Sequence, residues 1–139
     1  MENIIKILEL GKPEKKIKVL ETLHNTNELK ILEQIIFRLN DDSIQVRGEA
    51  FNALLLNDNQ ISKILIDNLN SSNKNIRGFT SLVLANRNEK SAIPEIIKLV
   101  EDKHGMVRSC AIGALGYLKA KKITDIILKL LSDSNLEVQ

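Results

Sequence analysis

Apolar and small residues recur along the chain at intervals that place them on one face of a helix. Val46, Ala50, Ala53 and Leu54 are spaced by four, three and one, and Ile76 opens the same pattern 30 residues after Val46. These intervals match an α-helix with 3.6 residues per turn and one buried side. No segment alternates apolar and polar residues in the way that indicates a β-strand. The pattern therefore predicts an all-α protein.

The apolar pattern predicts nine helices, arranged as successive pairs of a first and a second helix. Their expected bounds are 2–10, 13–23, 28–39, 44–57, 60–69, 74–85, 91–101, 105–119 and 122–131. Ser43, Asn73 and Asn135 precede second helices and suit N-caps, whereas His104 is a poorer cap at the equivalent position. Pro94 fits the first turn of its helix, where a missing N–H costs little.

One unit is copied along the chain. Four apolar anchors stand 30, 31 and 31 residues apart: Val46, Ile76, Val107 and Val138. An arginine follows each of the first three anchors. Five residues before each anchor lies an acidic or hydroxyl residue: Asp41, Ser71, Asp102 and Asp133. Repetition at this period is typical of stacked helical repeats.

These repeats predict the organisation of the chain. We expect a single domain over 1–139, with three repeats at 28–57, 60–86 and 91–119. The first pair, at 1–24, lacks the valine–arginine signature and is interpreted as a degenerate capping unit. An incomplete last repeat is expected at 122–139.

At these residues the chain resembles the HEAT-like repeats of the phycobilisome-lyase type, whose consensus combines Asp, Val-Arg, Ala and Leu. The clearest match is the set Asp41, Val46, Arg47, Ala50 and Leu54. The next repeat departs from the consensus by a serine in place of the aspartate and a threonine in place of the alanine. The resemblance implies a right-handed α-α superhelix, a HEAT-like or armadillo-type solenoid of antiparallel helix pairs. In that family the second helices line a concave face that usually binds other macromolecules.

The recurring arginines have two interpretations. In the first, each guanidinium bonds a turn aspartate or a helix-end carbonyl of a neighbouring unit, for which its planar fork is suited. In the second, the arginines form a basic stripe that follows an acidic groove or a row of phosphates. We favour the first, a structural ladder of Asp41, Arg47, Arg77, Asp102 and Arg108.

Non-recurring positions beside the buried stripe of the second helices are candidate protein-binding residues on the concave face. They are Gln45, Glu49, Asn52, Asn75, Phe79, Leu82 and Arg87. Phe79 stands where two other repeats have Glu49 and Cys110. It is either an exposed anchor for a partner or a core residue adapted to local packing.

Composition narrows the classes of partner. The net charge is +2, aromatic residues make up 3% of the chain and tryptophan is absent, which argues against base stacking or a general attraction to nucleic acid. Lys15, Lys16 and Lys18 are either solvated surface or contacts to an acidic partner. A lone cysteine, Cys110, favours the reducing cytoplasm. No apolar run reaches the length of a membrane span.

The sequence contains no catalytic or metal-binding motif that we recognise. His24 and His104 lie in different turns, and there is no His-Glu dipeptide of the kind that binds iron in the HEAT-repeat deoxyhypusine hydroxylase. We expect Cys110 to be a buried thiol. The sequence thus favours a non-catalytic scaffold without metal or cofactor that binds a protein partner. The alternatives are a subunit of a bilin-lyase-like enzyme and a nucleic-acid binder with basic residues on one face.

The last expected helix has no second helix to pack against. The segment "LSDSNLEVQ" stops at the anchor Val138, with Gln139 in place of the arginine. The apolar side of the helix expected at 122–131 would then be partly bare. This predicts either a fragment of a longer repeat array or an edge that docks on another chain, as in a dimer.

Overall fold

Eight α-helices and no β-strand are found in residues 2–118, the part of the chain that the computed structural model describes. The helices are α1 (Glu2–Leu10), α2 (Pro13–Glu21), α3 (Leu29–Phe37), α4 (Ile44–Leu55), α5 (Ser62–Asp67), α6 (Lys74–Asn86), α7 (Ile93–Lys98) and α8 (Gly105–Tyr117). The predicted all-α class is confirmed. The helix expected at 122–131 and the cap Asn135 lie outside the described residues. None of the eight helices is long and apolar enough to span a membrane.

First helices end in a tighter turn than the sequence predicted. After α3, α5 and α7 the chain continues as a 3-10 turn, at Arg38–Asn40, Asn68–Asn70 and Leu99–Glu101. The i→i+3 hydrogen bonds that follow these turns measure 3.1, 3.2 and 3.1 Å. The α-helical ends predicted at 39, 69 and 101 are therefore right in position and wrong in type. The tight turn buries its central residue in each case.

Second helices begin at side-chain caps. Ser43 Oγ accepts a hydrogen bond from the backbone N–H three residues on, at 3.3 Å. Asn73 Oδ1 accepts bonds from the backbone N–H groups two and three residues on, at 2.9 and 3.1 Å. His104 makes no side-chain capping bond. Pro94 lies in the first turn of α7. The caps predicted at Ser43 and Asn73 and the predicted proline position are confirmed. The capping bonds satisfy N–H groups that a helix start leaves free.

The chain divides into two units, Met1–Ile61 and Ser62–Gln139. In the first unit α1 and α4 each pack against both α2 and α3. Leu8, Leu20 and Leu54 are fully buried in this unit. The pair α1–α2, expected to be a cap, therefore contributes side chains to the core.

In the second unit α6 packs against α5 and α8, and α7 packs against α8. Its core contains the fully buried side chains of Leu65, Leu84, Ile96 and Leu115. The predicted single domain with its repeat boundaries stays a prediction.

The apolar stripe predicted on the second helices is buried. The anchors Val46, Ile76 and Val107 and the residues four, seven and eight positions after each of them all lie in the core. Thr80 takes the place of alanine in this set, and its hydroxyl has no hydrogen-bond partner among the described residues. The stripe fixes which sides of α4, α6 and α8 remain accessible.

Candidate functional site

Each recurring arginine ties its helix to the turn that precedes it. The Nη1 atom donates to the backbone carbonyl six residues earlier, at 2.8 Å for Arg47 and Asp41, 2.9 Å for Arg77 and Ser71, and 2.6 Å for Arg108 and Asp102. These acceptors lie in the same repeat as the arginine, whereas the sequence analysis expected a neighbouring unit. Carbonyls in that turn would otherwise lack a partner. The three bonds are therefore local to each repeat.

Arg77 also reaches the aspartate of the next repeat. Its Nε and Nη2 donate to the two carboxylate oxygens of Asp102 at 2.9 and 3.0 Å. Both side chains are 10% exposed. Burial alone would raise the pKa of Asp102, but the hydrogen bonds from Arg77 and from the backbone N–H of His104 outweigh it and hold the pKa below 3.8. The contact is a two-point, charge-assisted pair between α6 and the turn before α8.

Lys16 forms the corresponding pair in the first unit. Its Nζ donates to Asp41 Oδ2 at 2.7 Å, and the two residues are 25 positions apart, as are Arg77 and Asp102. The sequence analysis missed this pair because it searched for valine followed by arginine. Spacing alone could have found it. In the first helix pair, Lys16 thus takes the place that the recurring arginine has in the later repeats.

Asp41 is held by several groups at once. Burial opposes its ionisation, and the hydrogen bonds from Lys16 and from the backbone N–H of Ser43 outweigh that effect, so its pKa lies below 3.8. Arg38 Nε lies 3.9 Å from the carboxylate, and Arg38 Nη1 donates to the carbonyl of Leu8 near the end of α1. Asp41 therefore connects the turn before α4 with α2 and, through Arg38, with α1.

Two of the three arginines form no ion pair with a described residue. Arg47 has only the carbonyl bond described above, and Ser71 stands where the next repeat would supply an aspartate. Arg108 is buried, and its Nε has no partner among the described residues. Within residues 2–118, Arg77 is thus the one arginine of the three that pairs with an aspartate; Asp133, 25 positions after Arg108, lies outside the described residues. That the arginines stabilise the repeat stays a prediction.

Both histidines, His24 and His104, are half-buried. The Nε2 atom of His24 lies 3.4 Å from Glu49 Oε1, a pair that the sequence analysis missed. Within residues 2–118, no group of three His, Cys, Asp or Glu side chains could hold a metal ion.

A second row of positions runs along the accessible side of each second helix. We call it the outer stripe; it consists of the residues one before and three, six and ten after each anchor, a spacing that keeps them on one face. In α4 and its C-cap these are Gln45, Glu49, Asn52 and Leu56; in α6, Asn75, Phe79, Leu82 and Asn86; in α8, Met106, Cys110, Gly113 and Tyr117. Six of the seven predicted surface residues belong to it.

The predicted surface residues differ in exposure. Gln45 and Asn52 are exposed, and Glu49 is half-buried. In the second unit Asn75, Phe79, Leu82 and Arg87 are all half-buried. Arg87 lies beside the stripe, where its Nε donates to Glu89 at 3.1 Å. Phe79 thus falls between the two interpretations, since one side packs and the other is accessible.

The outer stripe of the second unit carries no charge and is mostly apolar; its two polar amides are Asn75 and Asn86, both in α6. Neither α6 nor α8 contains an aspartate or glutamate. Tyr117 is 60% exposed, and Met106 and Cys110 are half-buried, which corrects the expectation of a buried thiol. Burial raises the pKa of Cys110, so the group is a thiol at neutral pH.

Glycines shape this surface in two ways. A Cβ atom on Gly78 would lie 2.8 Å from Met106 Sδ and 3.3 Å from Cys110 Sγ, so the bare backbone lets α8 approach α6 closely. A Cβ atom on Gly113 or Gly116 would meet nothing within 4 Å. The sequence analysis did not assign Gly113 to the surface, although its equivalence to Leu82 and Asn52 contained that information.

Paired helices, buried anchors and turn-bound arginines define a helical-repeat protein of the α-α solenoid class. The match to the HEAT-repeat family covers residues 62–139, more than half of the chain. The chain belongs to the HEAT-repeat family. No curated protein matches it.

Proposed function

We propose that the chain is a non-catalytic scaffold that binds a protein partner through the outer stripe of its second helices. HEAT repeats are commonly protein-interaction scaffolds. The observation that carries the proposal is the uncharged outer stripe on α6 and α8, in which six of the eight positions are apolar, aromatic or glycine. We further propose that the repeats are of the short, phycobilisome-lyase-like type, on the 31-residue spacing of Ile76 and Val107, and that the protein works in the cytoplasm.

Apolar surface of this kind supports protein binding on physical grounds. Accessible aromatic, methionine and leucine side chains with no acidic residue on either helix match the composition of interface centres, from which charge is depleted. Phe79, Leu82 and Tyr117 supply the large side chains. Removing them from water would provide most of the binding energy, since aromatic anchors dominate such contacts.

Gly113 gives the stripe a recess between larger side chains. Because nothing lies within 4 Å of its missing Cβ, a partner side chain can reach the backbone of α8 there. The outer stripe of the first unit offers no equivalent, since Asn52 stands at that position. We therefore assign the main partner contact to the second unit.

Filling the recess tests the proposal. Gly113→Phe adds a bulky side chain into open space and removes a helix-interior glycine, so we expect the fold to be retained or slightly stabilised. Gly48→Phe in α4 is the matched control, because a Cβ there also meets nothing within 4 Å. Affinity capture from native lysate with mass spectrometry, using the full chain as bait, would compare the three proteins.

The expected result is a protein that the natural chain and Gly48→Phe both retain and Gly113→Phe loses, at unchanged Tm. Equal capture by all three would refute the assignment to the second unit. Recovery of nucleic acid in place of protein, with an affinity that falls as salt is raised, would favour the nucleic-acid alternative. A bound chromophore with visible absorbance would favour the bilin-lyase alternative.

A further inference from the structure

We propose that a groove between α1 and α2 binds an acidic, apolar segment of a partner protein, independently of the function proposed above. The groove has a volume of about 410 Å³. Its walls are formed by Asn3, Lys6, Ile7, Leu10, Gly11 and Lys15. It lies within the first unit and shares no residue with the outer stripe.

The apolar part of the groove consists of Ile7 and Leu10 and is open to solvent. Asn3, Lys6, Ile7 and Leu10 fall on one face of α1, with spacings of three, one and three. Leu10 is 78% exposed, a large hydrophobic side chain that the fold leaves in water. A Cβ on Gly11 would lie 2.5 Å from the carbonyl oxygen of Ile7. This turn therefore stays bare, which keeps the end of the groove open.

The rim of the groove is cationic. Lys6 on α1 and Lys15 on α2 are exposed, and neither makes an ion pair or hydrogen bond with a described residue. Lys16, the next residue, is by contrast engaged by Asp41. No acidic side chain lines the groove. The two ammonium groups are thus available for carboxylates of a partner.

These features together define the chemistry of the occupant. The apolar part of the groove, between two free ammonium groups, suits a leucine-like side chain flanked by carboxylates, as on one face of an acidic amphipathic helix. A flat anionic membrane would meet the whole exposed face of α1, including Glu2 and Glu9, whereas a short segment can place its carboxylates at Lys6 and Lys15 alone. The geometry points to a peptide segment.

A labelled peptide built from glutamate and leucine in an amphipathic helical pattern is the probe, with binding followed by fluorescence anisotropy on the full chain. We expect Lys6→Glu combined with Lys15→Glu to weaken binding roughly tenfold, because two ion pairs are replaced by repulsion. Leu10→Ser should also weaken binding. Lys18→Glu is the matched control: it is an exposed lysine of α2 outside the groove, and we expect less than about a twofold effect.

Three outcomes would overturn the proposal. The first is absence of saturable binding by the acidic peptide; the second is equal binding of a peptide with glutamine in place of glutamate. The third is a loss with Lys18→Glu as large as that of the double variant. Vesicles of phosphatidylserine form a further arm, and binding to them in place of the peptide would reassign the groove to membranes. All substitutions lie in α1 and α2, so failure here leaves the capture experiment on Gly113 unaffected.

Discussion

The two units build the same bridge from different cations. In the first, Lys16 reaches Asp41 through one nitrogen at 2.7 Å; in the second, Arg77 reaches Asp102 through two nitrogens at 2.9 and 3.0 Å. The spacing is 25 residues in both. Repeat geometry therefore sets where a cation and a carboxylate meet, and residue type sets how many bonds they make. Lysine has one nitrogen to donate from, whereas Arg77 also donates from Nη1 to the carbonyl of Ser71.

The outer stripes of the two units differ in polarity. In α4 three of its four positions are polar, and Glu49 contacts His24. In α6 and α8 the stripe has no charge and only two polar amides, Asn75 and Asn86, with a bare recess at Gly113. The second unit, which has the two-point bridge of Arg77 and Asp102, is thus also the unit whose outer stripe is better suited to bind a partner. A rigid backbone under an apolar contact patch lowers the ordering cost of binding.

Arg77→Ala should have the largest effect on stability. It removes the pair with Asp102 and the bond to the carbonyl of Ser71, and it leaves a buried carboxylate without its cation. We expect a loss of about 3 kcal/mol in the free energy of unfolding. Urea unfolding followed by circular dichroism measures it. Unchanged stability would contradict the structural interpretation of the arginines. For Arg77→Lys we expect a free energy of unfolding between those of the natural chain and of Arg77→Ala, which tests the role of the planar guanidinium.

Lys16→Met should cost less, about 1 kcal/mol, measured in the same way. Methionine keeps the apolar stem, and Asp41 retains its bond from the backbone of Ser43 and the nearby Arg38. A loss equal to that of Arg77→Ala would show that the number of bonds does not matter. Lys18→Met serves as the control, because Lys18 is exposed.

Replacing Gly113 and Gly78 by alanine should affect stability differently, because a Cβ atom has free space at Gly113 and meets Met106 and Cys110 at Gly78. Gly113→Ala is expected to stabilise by up to about 1 kcal/mol, since it gains helix propensity without a contact. Gly78→Ala should gain less or nothing, because Met106 and Cys110 must shift to admit the methyl group. Thermal unfolding of the two variants side by side gives the difference. An equal rise in Tm would mean that the approach of α8 to α6 is looser than described.

Acid should weaken both bridges, with the smallest effect of the four. The pKa values of Asp41 and Asp102 are lowered in the folded chain, so the unfolded chain binds these protons more readily. Their contribution is complete above about pH 5 and is lost as the pH falls through the lowered values. Asp102→Asn should flatten this acid limb by a fraction of a kcal/mol, as judged from unfolding free energies across pH. If Asp102→Asn and Asp41→Asn both lose stability in acid as the natural chain does, the two carboxylates are not the groups responsible.

The sequence predicted the fold well because burial repeats with a period. Anchors such as Val46 and Val107 and caps such as Asn73 follow local rules, and the structure bears them out. The 3-10 ends of the first helices were not predictable, since α and 3-10 turns bury the same apolar residues. The two turns differ in whether the backbone hydrogen bond spans four residues or three. Side-chain period alone does not separate them.

The candidate site was harder to predict, since it depends on three-dimensional pairing. Lys16 escaped notice because its neighbours do not match the motif, although its distance from Asp41 does. The pair of His24 and Glu49 also spans 25 positions, but it joins a loop residue to the middle of α4 and so lies outside the repeated motif. Exposure of Gly113 depends on what stands opposite it. Such features require the packed arrangement, whereas the surface residues Gln45 and Asn52 could be read from helix position.

The 25-residue bridge has a consequence for how such a chain changes its length in evolution. Each bridge joins a second helix to the turn before the next one, and every arginine also bonds within its own repeat. Duplicating or deleting one whole unit leaves each cation facing a turn at the same distance. An insertion of one or two residues within a first helix would instead move the carboxylate out of reach. We therefore expect the chain to lengthen or shorten by whole units. Insertions of single residues should preserve the ion pair only where they fall outside the 25 positions between the cation and the carboxylate.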